Sequence, residues 1–247
     1  MKDSNYRLHL NLCAVIITLD IMRRAANAVP DIYGAVLDLT VINALEYYRA
    51  QNRWMDALNI VREAEKTSPE KFSSELDQTL CDAFSYYKAE GWYQDGGRAL
   101  DIIREAAERN PNRYGAELDQ ALWDAFNFFK TEDMWDEALE LMREAAVRNP
   151  SRFGSELEQA LHEAYECHKD KGWWFNALDI MQEAASRNPD KYITELDQAV
   201  HDAFDYYRNI GWYDRAIDIM RDAARRKPDV FNPLLAQALD DLPNPNH

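Results

Sequence analysis

His162 and His201 stand 39 residues apart, and each is followed four residues later by a carboxylate, Glu166 and Asp205. On a helix that spacing puts imidazole and carboxylate on one face. Such pairs can grip a basic or phosphorylated segment with pH sensitivity, or contribute to a metal site. The segment HEAYECH, residues 162–168, is superficially like a zincin motif, but Glu166 stands where its second histidine would be. Cys13, Cys81 and Cys167 are odd in number, widely spaced and free of any CxxC pair. They read as reduced thiols of a cytoplasmic protein, not as a disulfide framework. There is no glycine-rich phosphate loop, no GxSxG and no credible nucleophile–base pair. The expectation is a protein that is not an enzyme, with no catalytic residue, no metal and no cofactor.

These residues sit in a chain of 247 residues with 28 Lys and Arg against 44 Asp and Glu, a formal net charge of −16. So acidic a chain repels phosphate backbones and anionic lipid surfaces, so neither nucleic acid nor membrane is an expected partner. The apolar stretch of residues 8–22 is interrupted by His9, Asn11 and Asp20 and is too short to span a bilayer. Lys2 and Arg7 precede it, as in a secretory leader, but the repeat register argues against that reading. Hydrophobic residues make up 47% of the chain, enough for a substantial core, and only 8 Gly and 9 Pro interrupt it.

The elements that must position these residues are repeated. Prolines fall at 30, 69, 111, 150, 189 and 228, spaced by 39, 42, 39, 39 and 39 residues. Three extra residues around the QDGG of 94–97 account for the 42. Each unit opens on an aromatic (Tyr33, Phe72, Tyr114, Phe153, Tyr192, Phe231) and continues as two amphipathic helices, A and B. In helix A the apolar residues Leu118, Ala121, Leu122, Ala125, Phe126 and Phe129 recur at three- and four-residue steps. In helix B the stripe is Ala138, Leu139, Leu141, Met142 and Ala145. The turn between them is often glycine then tryptophan, as at Gly91, Gly172 and Gly211. The proline is expected to stop helix B.

The pattern Gly211, Tyr213, Ala216, Ala223 and Pro228 resembles helix B of the tetratricopeptide repeat family, and its alanine pair and proline recur in register in four further units. The resemblance covers nearly the whole chain. It implies an all-α, right-handed α-solenoid of antiparallel helix pairs. The 39-residue period exceeds the family's usual 34 and looks like the long variant in kinesin light chains and in some helical tails of NTPase immune receptors. Phe84, Phe126, Tyr165 and Phe204 stand where the family usually has a small residue. The boundaries read as a partial repeat over 1–30 and repeats over 31–69, 70–111, 112–150, 151–189 and 190–228. A capping helix over 229–242 and a disordered tail over 243–247 follow.

The resemblance further implies a concave wall lined by the A helices, with four residue columns along it. The first reads Ile42, Cys81, Trp123, His162, His201. The second reads Glu46, Ser85, Asn127, Glu166, Asp205. The third is Leu39 followed by a glutamine ladder, Gln78, Gln120, Gln159 and Gln198. The fourth is basic: Arg49, Lys88, Lys130, Lys169, Arg208. Trp123 is a candidate anchor for a partner side chain, or else packs on a neighbouring A helix. The glutamines could meet the backbone of an extended peptide, and the basic column suits helix C-termini. His162 and His201 lie one repeat apart, about 10 Å between helices, too far to share an ion. The family's clamp for chaperone tails needs lysine in the first column and asparagine in the second, and only Asn127 is present, so such tails are not expected ligands.

The leading expectation is a protein-interaction scaffold that takes a partner segment, preferably basic, on Gln78, Cys81, Gln120, Trp123, Asn127, Gln159, His162, Glu166, Gln198, His201 and Asp205. The alternatives are a self-assembling solenoid, using apolar Leu8, Leu10, Val15 and Ile17 at its first unit, or a regulatory segment of a larger signalling protein.

Overall fold

The computed structural model describes residues 2–91 and 98–240, with side chains from Ala14 onward. All regular structure among them is helical: α1 (Lys2–Ala28), α2 (Pro30–Ala50), α3 (Trp54–Thr67), α4 (Pro69–Ala89), α5 (Arg98–Arg109), α6 (Pro111–Thr131), α7 (Trp135–Arg148), α8 (Pro150–Asp170), α9 (Trp174–Arg187), α10 (Pro189–Asn209), α11 (Tyr213–Arg226) and α12 (Pro228–Asp240). Two compact units divide the chain, Met1–Ala121 and Leu122–His247. In each, antiparallel A and B helices alternate and each packs on the next. The architecture is the all-α stack of helix pairs that the periodicity implies. The QDGG segment, Trp92, residues 241–242 of the expected cap and the expected tail lie outside the described residues.

The prolines act differently from the expectation. They open the A helices instead of merely closing the B helices: Pro30, Pro69, Pro150 and Pro189 occupy the first turn. Proline lacks an N–H, and at a helix's first position that donor has no partner anyway. The residue before it is pushed out of the helical region, as at Asn149 (φ −138°, ψ 75°) and the equivalent Asn188 (φ −139°, ψ 78°). One extended residue is therefore the whole B-to-A connection. The opening aromatic lies inside helix A, where Phe72, Tyr114, Phe153, Tyr192 and Phe231 are buried. Tyr33, at the first unit, is exposed.

The A-to-B turn is a left-handed helix cap. Asn52, Gly91, Asp133, Gly172 and Gly211 hold the same place and all have positive φ, between 55° and 87°. Around Gly172, the Gly172 N–H donates to the Lys169 carbonyl (2.9 Å) and the Trp173 N–H to the His168 carbonyl (2.8 Å). This is the paired bonding that satisfies a helix's last carbonyls. Asn52–Arg53, Asp133–Met134 and Gly211–Trp212 repeat it. The residue after the left-handed position covers the helix end: Trp212 stacks on Tyr207 at 5.9 Å and Trp173 meets His168 edge-on at 5.5 Å. The glycine–tryptophan signature is thus a capping device.

The alanine pairs of the B helices let neighbouring helices approach closely. Ala57, Ala99, Ala106, Ala138, Ala145, Ala177, Ala184 and Ala223 are wholly buried. Inter-repeat ion pairs also recur. Arg62 pairs with Glu105 in the first unit, and Arg143 pairs with Glu183 at the equivalent positions in the second. Burial pushes the Glu183 carboxyl up, but the hydrogen bonds and charges of Arg143 and Arg187 outweigh it and hold it below its ordinary 4.5.

Candidate functional site

The second unit presents one face built by three successive A helices, the second half of α6, then α8 and α10. Trp123, His162 and His201 form a half-buried column along it. Trp123 and His162 are each held between two aromatics, and His201 packs on one. Trp123 lies 5.6 Å from Phe126, three residues on, and 6.2 Å from Phe153 of α8. His162 lies 6.3 Å from both Tyr165 and Tyr192 of α10. His201 meets Phe231 of α12 at 5.6 Å. The column therefore carries the packing of one A helix on the next, and the same packing fixes the orientation of the exposed ring edges.

This arrangement accounts for the bulky residues where small ones are usual. Phe126 and Tyr165 flank the column on one side. On the other they carry the basic column: Lys130 over Phe126, Lys169 over Tyr165 and Arg208 over Phe204 within 6 Å. Lys88 over Phe84 repeats the contact in the first unit. The cations are also paired with carboxylates: Lys130 with Glu163 of α8, Lys169 with Glu166 (2.7 Å) and Arg208 with Asp205 (3.0 Å). Burial raises the Glu163 carboxyl, but the hydrogen bonds of Lys130 and Gln159 and the charge of Lys130 prevail and leave it lowered. Burial, followed by the charges of Glu166 and Glu195, pushes the Tyr165 hydroxyl far up, so it stays neutral.

The second column is half-buried at Asn127 and Glu166 and exposed at Asp205. Asn127 donates to the Trp123 carbonyl at 2.9 Å, back along its own helix. The glutamines are exposed, and their amides are also engaged locally: Gln159 donates to Glu163 (2.9 Å) and Gln198 to Asp202 (2.8 Å), one turn on. Gln78 does the same with Asp82 in the first unit. Gln120 is exposed on α6.

In the first unit the equivalent face changes character. On α4 it is polar, with Gln78, Cys81 and Ser85. Burial and the Asp82 charge push the Cys81 thiol up. On α2 it is apolar, with Leu39 and Ile42 exposed. On α1, Ile16, Ile17 and Ile21 are exposed and Val15 is half-buried, while Leu8 and Leu10 lie outside the residues whose side chains are described.

One participant went unnoticed in the sequence. Glu195, on α10, brings a carboxylate oxygen 3.4 Å from Nδ1 of His162. The signal was present: an acid recurs at this place in helix A as Glu75, Glu117, Glu156 and Glu195. Its partner, however, is set by how α8 and α10 pack. No helix among the described residues is long and apolar enough to cross a membrane.

No protein-family model and no curated protein matches the chain. Solved structures do. YrrB, described as a TPR protein with an unusual peptide-binding site, aligns over 90% of this chain and 98% of its own at 15% identity, with a TM-score of 0.24. BtubC (BKLC) from P. vanneervenii aligns over 97% of this chain and 95% of its own at 15% identity, with a TM-score of 0.27. MamA aligns over 76% of this chain and 90% of its own at 14% identity, with a TM-score of 0.25. Likeness at this level assigns no residue of the helix-A face.

Proposed function

We propose that this chain, which is similar to tetratricopeptide repeat proteins in its helix-pair repeats, is a protein-interaction scaffold and not an enzyme. Its partner is a protein or peptide segment taken on the helix-A face of the second unit. The carrying observation is the column Trp123, His162 and His201, whose rings are oriented by packing but keep solvent-facing edges. A surface fixed before binding loses little entropy when a partner arrives. Beside the column the basic side chains are matched by acids of the same face, and the chain as a whole carries −16. A basic segment is therefore the complementary partner. A cytoplasmic setting fits free thiols at Cys81 and Cys167.

The test is fluorescence polarisation with labelled basic, neutral and acidic peptides at two salt concentrations. Basic peptides are expected to bind best and to weaken with salt. Asp205→Lys, on the face, is expected to abolish this preference, and Glu140→Lys, on the exposed side of α7, to spare it. Tightest binding by an acidic peptide, or equal effects of the two substitutions, would refute the reading.

A second reading, self-assembly, rests on a different observation: Ile16, Ile17 and Ile21 of α1 and Leu39 and Ile42 of α2 are all exposed. Light scattering over a hundred-fold concentration range distinguishes the two. An oligomer dissolved by Ile17→Glu supports assembly, and a monomer throughout excludes it.

A further inference from the structure

We propose that His162, Glu166 and Glu195 form a binding site for a divalent transition-metal ion of the zinc class. The sequence expectation set a metal aside because it paired His162 with His201. The fold pairs His162 differently. Glu166 lies one turn along α8, and Glu195 comes across from α10. One ligand atom from each falls within 4.8 Å of the other two.

The His162–Glu195 spacing fits a coordination sphere better than a hydrogen bond. Ligands held about 2.0–2.2 Å from a tetrahedral ion stand roughly 3.3–3.6 Å apart. Nδ1 of His162 and Oε1 of Glu195 are 3.4 Å apart. A charge-assisted hydrogen bond would be about 2.7–2.9 Å. Independently, Nδ1 is buried without a hydrogen-bond partner, although the ring's other edge reaches solvent. A buried nitrogen that makes no hydrogen bond, with the Glu195 carboxylate 3.4 Å away, is poorly satisfied, and an ion between the two satisfies it.

Comparison among the repeats isolates the site. The glutamate at 195 has counterparts at Glu75, Glu117 and Glu156, so its presence alone is part of the scaffold. The residues facing those counterparts are Ile42 with Glu46, Cys81 with Ser85, and Trp123 with Asn127. At His201 the counterpart of Glu195 is Leu234. One repeat alone joins an imidazole and a carboxylate to the recurring glutamate. The imidazole selects zinc-like ions over calcium or magnesium, which favour all-oxygen shells. Lys169, which pairs with both oxygens of Glu166, is the resident competitor. Three protein ligands leave a fourth position for water or a partner's side chain. A bound ion would join α8 to α10.

The experiment uses the tag-free full chain, stripped with chelator and dialysed, titrated with zinc against a chromophoric chelator. The wild type is expected to bind one zinc ion that His162→Phe and Glu195→Gln each weaken by at least about tenfold, the loss caused by removing even an outer-shell partner. The phenylalanine preserves the ring between Tyr165 and Tyr192, and circular dichroism confirms the fold. His201→Phe is expected to bind as the wild type, and Lys169→Gln more tightly. No zinc binding by the wild type, undiminished binding by both ligand variants, or calcium bound as well as zinc would each overturn the proposal. No peptide is present, so failure here leaves the partner-binding reading untouched.

Discussion

Gly172→Ala is the most informative single change for the fold. Gly172 and Gly211 hold the same left-handed capping place, with φ of 73° and 79°. A Cβ at Gly211 would meet nothing within 4 Å, whereas one at Gly172 would stand 2.5 Å from the Tyr206 hydroxyl oxygen and 3.0 Å from Cζ. Placing alanine in the left-handed region costs about 1–2 kcal/mol, and this is the whole expected cost at Gly211. At Gly172 the Tyr206 ring must also move, and it is packed on Trp174 (6.1 Å) and Tyr207 (5.3 Å). Forcing such a ring off its preferred torsion adds about 1 kcal/mol. Gly172→Ala is therefore expected to cost roughly 2–3 kcal/mol. In a chain of this size each kcal/mol lowers the melting temperature by about 2–4 °C. Urea and thermal melts of both variants measure the difference. Adding Tyr206→Phe removes the closest atom, so Gly172→Ala should cost less in that background than alone. Equal losses for Gly172→Ala and Gly211→Ala, or no relief from Tyr206→Phe, would refute the steric part of this reasoning.

Two further perturbations test the face and the inter-repeat pairs. Trp123 is half-buried against Phe126 and Phe153, so Trp123→Ala should cost roughly 2 kcal/mol, about half the loss for a fully buried aromatic. Trp123→Phe should restore most of that stability, and any remaining loss of peptide binding then reports direct contact with the partner. An unchanged urea midpoint in Trp123→Ala would contradict the packing role. The Glu183 carboxyl is lowered in the folded state, so its stabilising contribution is present above its unfolded value and fades as pH falls through the depressed folded one. The stability gap between wild type and Glu183→Gln should be constant near neutrality and close below about pH 4. A gap independent of pH down to pH 2 would show that Arg143 and Arg187 do not act on Glu183.

Sequence reading reached the helix pairs because they are written in short-range patterns. Stripes of apolar residues three and four apart choose helix over strand, and the returning proline marks each unit. Its misreadings are equally local in origin. Proline at the boundary is compatible with ending one helix or starting another. The single extended residue before it, such as Asn149, lets both happen at once. Glycine–tryptophan reads in sequence only as a turn, but bonding to the carbonyls of residues three and five back makes it a helix cap.

The amino-acid sequence by itself determined that this chain is an acidic array of helix pairs, which residues repeat and which vary. Only the tertiary structure decided which varying residues meet. Counted along the repeats, Trp123, His162 and His201 are one column of a helix-A wall. In three dimensions each member packs on an aromatic of the next A helix. His162 finds Glu195, 33 positions away, and not His201, 39 away. Spacing along one helix follows from its fixed rise and turn. Register between two helices is set by how their side chains interdigitate, and no local pattern carries that information.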